Sequence, residues 1–111
     1  MTPALGSIVW ATVPDKNGFK KDRPLVVISI GDEPDPTIGC ACITTKDSDP
    51  RPATYVRVPW DRRGTSLSGL KEPSFAVADW LVLIHQSEIR AHGGKLSEKT
   101  LAQLTNKIES L

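Results

Sequence analysis

The sequence predicts a mainly β fold, a small SH3-like barrel with a C-terminal α-helix, on three observations. Short runs of β-branched residues recur at close spacing from Gly6 to Leu83, and each run is cut off by proline, glycine or aspartate. Only the tail changes period, to apolar residues three and four apart. No stretch between the strands is long and periodic enough to be a helical crossover, so neighbouring strands pair antiparallel. A small barrel with the last helix packed against it then removes exposed sheet edges. An OB-type barrel is the nearest rival.

The first run, "GSIVWATV" at residues 6–13, is rich in β-formers and stops at Pro14. A polar loop, "PDKNGFKKD", leads into "RPLVVIS" at residues 23–29. There, proline near the strand start removes an amide donor where its loss costs little. "GDEPDP", residues 31–36, is a turn by composition. "TIGCACITT" at 37–45 forms the third strand and "DSDPRP" the next loop. "ATYVRVP" alternates, with Thr54, Val56 and Val58 on one face and Tyr55 and Arg57 on the other. Residues 60–73 are irregular, and "SFAVADWLVLI" at 74–84 supplies one or two further strands. "HGG" breaks the pattern. Ser97 then caps a helix, Glu98 suits its positive end, and Leu101, Leu104, Ile108 and Leu111 line one face.

A chain of 111 residues reads as one domain, 1–111, able to hide roughly 65% of its unfolded surface without a disulfide or metal staple. With a formal net charge of +1, the chain is not one that coats itself in nucleic acid, so a basic site must be local. Cys40 and Cys42 stand two apart with no second pair downstream, which excludes a four-cysteine zinc site and suits small apolar strand residues. No basic start precedes an apolar core at the N-terminus, and the longest apolar run is short and interrupted by Asp79; a cytoplasmic protein without membrane segments is expected. No phosphate-cradling glycine loop and no histidine–glutamate metal motif is present, so neither a metal nor a cofactor is expected.

Arg23 is the most informative side chain. A guanidinium stays charged at every physiological pH and is expensive to desolvate, so at a strand mouth it needs an anion. That anion is either a ligand or an internal carboxylate such as Asp47 or Asp79; alternation turns Asp22 to the opposite face. Thr44 and Thr45 close the third strand with hydroxyls on opposite faces. If neighbouring strand ends share a rim, Thr44 and Arg23 together offer a hydroxyl and a forked cation to a phosphate. Lys16, Lys20, Lys21, Arg51, Arg57, Arg62 and Arg63, with Phe19, Tyr55 and Trp60 interspersed, fit a groove that tracks a single nucleic-acid strand by charge and stacking. They fit a salt-balanced surface equally. Trp10 and Trp80 lie inside strand patterns and read as core.

The order "GSIVW", "RPLVVIS", "ITT", "SGLKEPSFAVADWL" and "GKLSEKTLAQL" resembles the MazF/PemK family of toxin endoribonucleases from bacterial toxin–antitoxin modules, from Gly6 to about Ile108. The resemblance implies a PemK-type SH3-like barrel, a homodimer, metal-independent cleavage of single-stranded RNA, and inhibition by a cognate antitoxin. The family's catalytic arginine, in its Arg-Pro motif, falls on Arg23, and its catalytic threonine on Thr44; Thr45 fits the hydroxyl that often follows. Relatives often carry a His-Glu-Gln-like stretch in the first loop, which "DKNGFKKD" lacks, so their base preference does not transfer.

The chemistry is consistent with that resemblance. RNA supplies its own 2′-hydroxyl as nucleophile, so the protein must gather charge on a phosphorane-like state and manage two protons. A guanidinium is a poor base, which assigns Arg23 to the phosphate and leaves Asp15, Asp61 and His85 as candidate proton acceptors. Two rivals stand beside this reading. One is a degenerate barrel that only binds a peptide or nucleic acid; the other is a toxin of the same fold that binds gyrase.

Overall fold

The computed structural model describes residues 3–32, 34 and 36–111. Six strands form one antiparallel sheet: β1 (Ser7–Pro14), β2 (Lys20–Ile30), β3 (Thr37–Thr44), β4 (Tyr55–Val58), β5 (Ser74–His85) and β6 (Ala91–Lys95). Their order across the sheet is β4-β5-β3-β2-β1-β6. The sheet curls into a half-barrel, and helix α1 (Glu98–Glu109) packs on it. The mainly β expectation with one C-terminal helix therefore holds. The turn expected at "GDEPDP" closes with Gly31 N–H donating to the Thr37 carbonyl at 2.8 Å, while Glu33 and Asp35 within it lie outside the described residues.

Alternation gives the sheet two apolar faces. On one, Ile8, Val26, Ala41, Ile43, Val56, Val58, Ala76 and Ala78 meet Leu104 of α1, which is fully buried. Ser97 caps α1 as expected, accepting the Thr100 amide at 3.1 Å, and Leu101 and Ile108 pack beside Leu104. Leu111 lies past the helix end and is exposed, contrary to its expected place on the buried face. On the other face, Val9, Ala11, Val13, Leu25, Val27, Ile38, Cys40 and Cys42 form a second cluster. Both thiols are free and buried there, and burial pushes each up to about 12, the inert behaviour of small apolar residues.

Three departures from the sequence reading shape the site. β2 starts at Lys20 rather than Arg23, because Lys20, Lys21 and Asp22 pair with Pro14, Val13 and Thr12. Pro24 is therefore inside the strand. It is tolerated because its partner Trp10 turns its carbonyl to β6, accepting the Arg90 amide at 2.7 Å, so no β1 bond is lost. The β2–β3 ladder starts only at Leu25–Cys42, one residue past the proline. Second, β5 is one strand with a bulge: the single residue Cys42 faces the four residues Val77–Trp80. Third, "HGG" is not a breaker but part of β6. Gly94 donates to the Ser68 carbonyl and Lys95 to that of Leu67, and a Cβ on Gly94 would overlap both residues. Antiparallel pairing with β1, at Ser7–Lys95, Val9–His92 and Trp10–Ala91, makes this segment a strand against its local propensity.

Candidate active site

The β2–β3 ladder ends at the Leu25–Cys42 pair, and the strand ends beyond it border a cleft of about 1470 Å³. Arg23 stands two residues before Leu25 and Thr44 two after Cys42, so alternation carries both on the face of that pair. Both line the cleft. Its volume exceeds the roughly 300–1,000 Å³ usual for a small-molecule pocket and suits an extended ligand.

The Arg23 side chain is only 12% exposed. Its partner is neither Asp47 nor Asp79, as expected from the sequence, but Asp15 in the β1–β2 loop, with Nη2 3.8 Å from Oδ2. Nε donates to the Val13 carbonyl at 3.3 Å and Nη2 to that of Phe19 at 3.4 Å. The guanidinium lies over the Trp80 ring, 5.0 Å from its centroid.

The loop that makes these contacts is braced from within. Asp15 Oδ1 accepts the Asn17 and Phe19 amides at 2.9 Å, and Gly18, at φ 83°, provides the left-handed turn residue that an L side chain resists. The Phe19 amide foremost, then that of Asn17 and the charges of Arg23 and Lys46, hold the Asp15 carboxyl below its usual range. It is a weak proton acceptor in consequence.

Thr44 is half-buried at the end of β3, and its Oγ1 accepts the Lys46 amide at 3.1 Å. No acceptor among the described residues engages its hydroxyl proton, which is free to donate into the cleft. Thr45, Lys16 and Lys21 also line the cleft, whereas Lys20, Arg57 and Arg62 do not. Arg57 instead borders a shallower groove of about 590 Å³ with Gln103, Asn106 and Lys107 of α1. Of the expected aromatic residues, Phe19 and Tyr55 are on the cleft and Trp60 is not.

The remaining proton-acceptor candidates fare differently. Asp61 is spent on its own loop, accepting the Thr65 hydroxyl at 2.7 Å and amide at 2.9 Å, which lower its pKa. His85 pairs with Thr37, at the far end of the β3–β5 ladder from the Thr44–Phe75 pair.

Sequence reasoning passed over Lys46, Lys71 and Glu72, weighed Asp79 only as a partner for Arg23 and read both strand tryptophans as core, yet all of them line the cleft. Glu72 and Asp79 carry no ion pair or side-chain hydrogen bond among the described residues. Asp22, also on the cleft wall, is engaged by the Thr12 hydroxyl at 2.6 Å and by Arg90 at 3.3 Å. Five cations and four carboxylates line the cleft, so placement rather than net charge must guide a polyanion here. Among the described residues no group of three histidine, cysteine, aspartate or glutamate side chains could hold a metal ion, and no helix is long and apolar enough to cross a membrane.

Comparison with known proteins bears on what such a cleft does. The family described as "PemK-like, MazF-like toxin of type II toxin-antitoxin system" matches residues 4–111. Among solved structures, MazF (Form-I) from Deinococcus radiodurans superposes with a TM-score of 0.72 at 18% identity, covering 99% of this chain and 96% of that one. MazE-MazF (Form-III) from the same organism gives 0.70 at 18% identity, covering 99% and 95%. These likenesses are of fold. No curated protein matches the chain in sequence.

Proposed function

The chain belongs to the PemK-like, MazF-like toxins of type II toxin–antitoxin systems, and from that membership we propose that it is a metal-independent endoribonuclease that cuts single-stranded RNA at short sequences to arrest growth. One observation supports the reading: Arg23 and Thr44, from neighbouring strands, both line a single cleft large enough for a polymer.

In this mechanism the 2′-oxygen gives its proton to a carboxylate and attacks the adjacent phosphorus, the bond to the 5′-oxygen breaks, and that oxygen takes a proton from the Arg23 guanidinium, which recovers one from the carboxyl, so that a cyclic phosphate and a 5′-hydroxyl result. Arg23 gathers the charge that builds on the non-bridging oxygens, and the Thr44 hydroxyl donates a further hydrogen bond; such preorganised donors act best where water is excluded. The proton acceptor is Asp79 or Glu72, the cleft carboxylates without protein partners, rather than Asp15, Asp61 or His85. Lys16, Lys21, Lys46 and Thr45 hold flanking phosphates and sugars.

A cognate antitoxin as partner follows by analogy with the MazE-MazF structures of the Deinococcus relative, and a cytoplasmic homodimer belongs to the same reading. The test is incubation of the purified protein with a long RNA in EDTA. Discrete fragments with 5′-hydroxyl ends, lost in Arg23→Ala and Thr44→Ala, are expected. Intact RNA under varied conditions would overturn the proposal in favour of a binding module, and growth arrest that survives both substitutions would point to a gyrase-type target.

A further inference from the structure

We propose that Trp80 is the positioning residue for Arg23, a flat floor that fixes the plane of the guanidinium so that its open edge meets the scissile phosphate; the catalytic part of this proposal rests on the nuclease reading above. Its position is a product of the fold. Four residues of β5 face Cys42 alone, and this bulge places Trp80 on the face that carries Cys42 and Arg23, where its ring lies 5.0 Å from the Arg23 carbon Cζ.

None of the other contacts fixes the guanidinium. The bonds to the Val13 and Phe19 carbonyls are 3.3 and 3.4 Å long and the Asp15 pair is 3.8 Å, against about 2.9 Å for a well-formed bond of this type. Each would let the group pivot. A ring beneath the plane resists that tilt through cation–π attraction, which strengthens as the pair is desolvated, and the Arg23 side chain is 12% exposed. Nη1 has no protein partner among the described residues, so one edge of the fork remains open to an anion. The same arrangement argues against Trp80 as a base-stacking residue, because one face of its ring is taken by Arg23. A defect here should therefore fall on the chemical step, where a misplacement of about 1 Å can cost on the order of a hundredfold, rather than on RNA binding.

The test compares two non-aromatic variants, Trp80→Leu and Trp80→Met, with Trp80→Phe, which keeps a ring. With folding checked by thermal unfolding, the non-aromatic variants should lose about tenfold to a hundredfold in kcat with KM little changed, and Trp80→Phe should recover most of the loss. A rise in KM alone would make Trp80 a base-stacking residue, and a Trp80→Phe enzyme as impaired as Trp80→Met would make it mere packing; either overturns the proposal. A second readout needs no RNA. In protein labelled with ¹⁵N-arginine, the Arg23 Nε–H resonance should be a distinct, slowly exchanging peak in wild type and Trp80→Phe and should collapse toward the solvent-averaged position in Trp80→Met. An unmoved resonance overturns the proposal whatever the RNA does. If wild type leaves RNA whole while the resonance responds to Trp80, the nuclease reading fails and the floor stands.

Discussion

Two places in this molecule bring together the same three side chains, an arginine, an aspartate and an aromatic ring, with opposite results. At the surface, Arg51 holds Asp47 through two bonds of 2.9 and 2.8 Å and lies 4.6 Å from the centroid of Phe75. In the cleft, Arg23 reaches Asp15 only at 3.8 Å and lies over Trp80. The exposed pair is the tighter one, with side chains 38% and 45% accessible against 12% and 30%. Tight geometry in water marks a cation whose partner is settled. Loose geometry around a mostly buried cation marks one whose anion is still to come, since desolvating a guanidinium is tolerable only if something meets its charge.

The comparison breaks most directly at the two arginines. Arg23→Ala should lower RNA cleavage by about a thousandfold, and Arg23→Lys should remain strongly impaired because an ammonium lacks the planar fork. Arg51→Ala should leave cleavage unchanged, and equal losses in a fragment-yield assay would abolish the distinction. Thr44→Val comes next, with an expected loss of about a hundredfold in kcat and only a small drop in the unfolding midpoint, since the one protein bond the hydroxyl makes is to the exposed Lys46 amide.

Asp15→Asn sharpens the contrast further. The amide oxygen still accepts from Asn17 and Phe19, so the loop persists while the charge facing Arg23 disappears. The KM for RNA should then fall a few-fold, whereas an increase would mean that the carboxylate itself holds Arg23 in place.

The smallest effect belongs to the surface pair. Hydrogen bonding by Arg51 holds Asp47 at about 2, below the ordinary 3.8. A carboxylate depressed on folding adds stability that is complete above about pH 4 and disappears as the pH falls toward 2. Asp47→Asn should flatten that part of an acid-unfolding curve, by a small amount because both side chains are exposed. An unaltered curve would show that even this well-formed pair contributes nothing.

Much of this was readable in the residues. The alternation of "ATYVRVP" and the leucine spacing after Ser97 predicted β4 and α1, because burial on one face leaves a period in the chain. Arg23 and Thr44 stood out as a charge and a hydroxyl at strand ends. The partner of Arg23 did not. Asp47 and Asp79 were the carboxylates the sequence offered, but the β1–β2 hairpin register brings Val13 and the Asp15 loop to Arg23 instead. Nor was β6 legible, because two adjacent glycines look like a break until the segment pairs with β1, far away in sequence.

Side-chain pattern alone was enough for the first five strands, for α1 and for the identity of the cleft's cation and hydroxyl, since these depend on neighbours a few residues away. Only the folded chain decided which groups surround Arg23. Three extra residues in a β5 bulge change which face a tryptophan occupies, and a ladder that stops at Leu25 opens the gap beside it. Both are properties of register between distant strands, which backbone pairing sets and local sequence does not record.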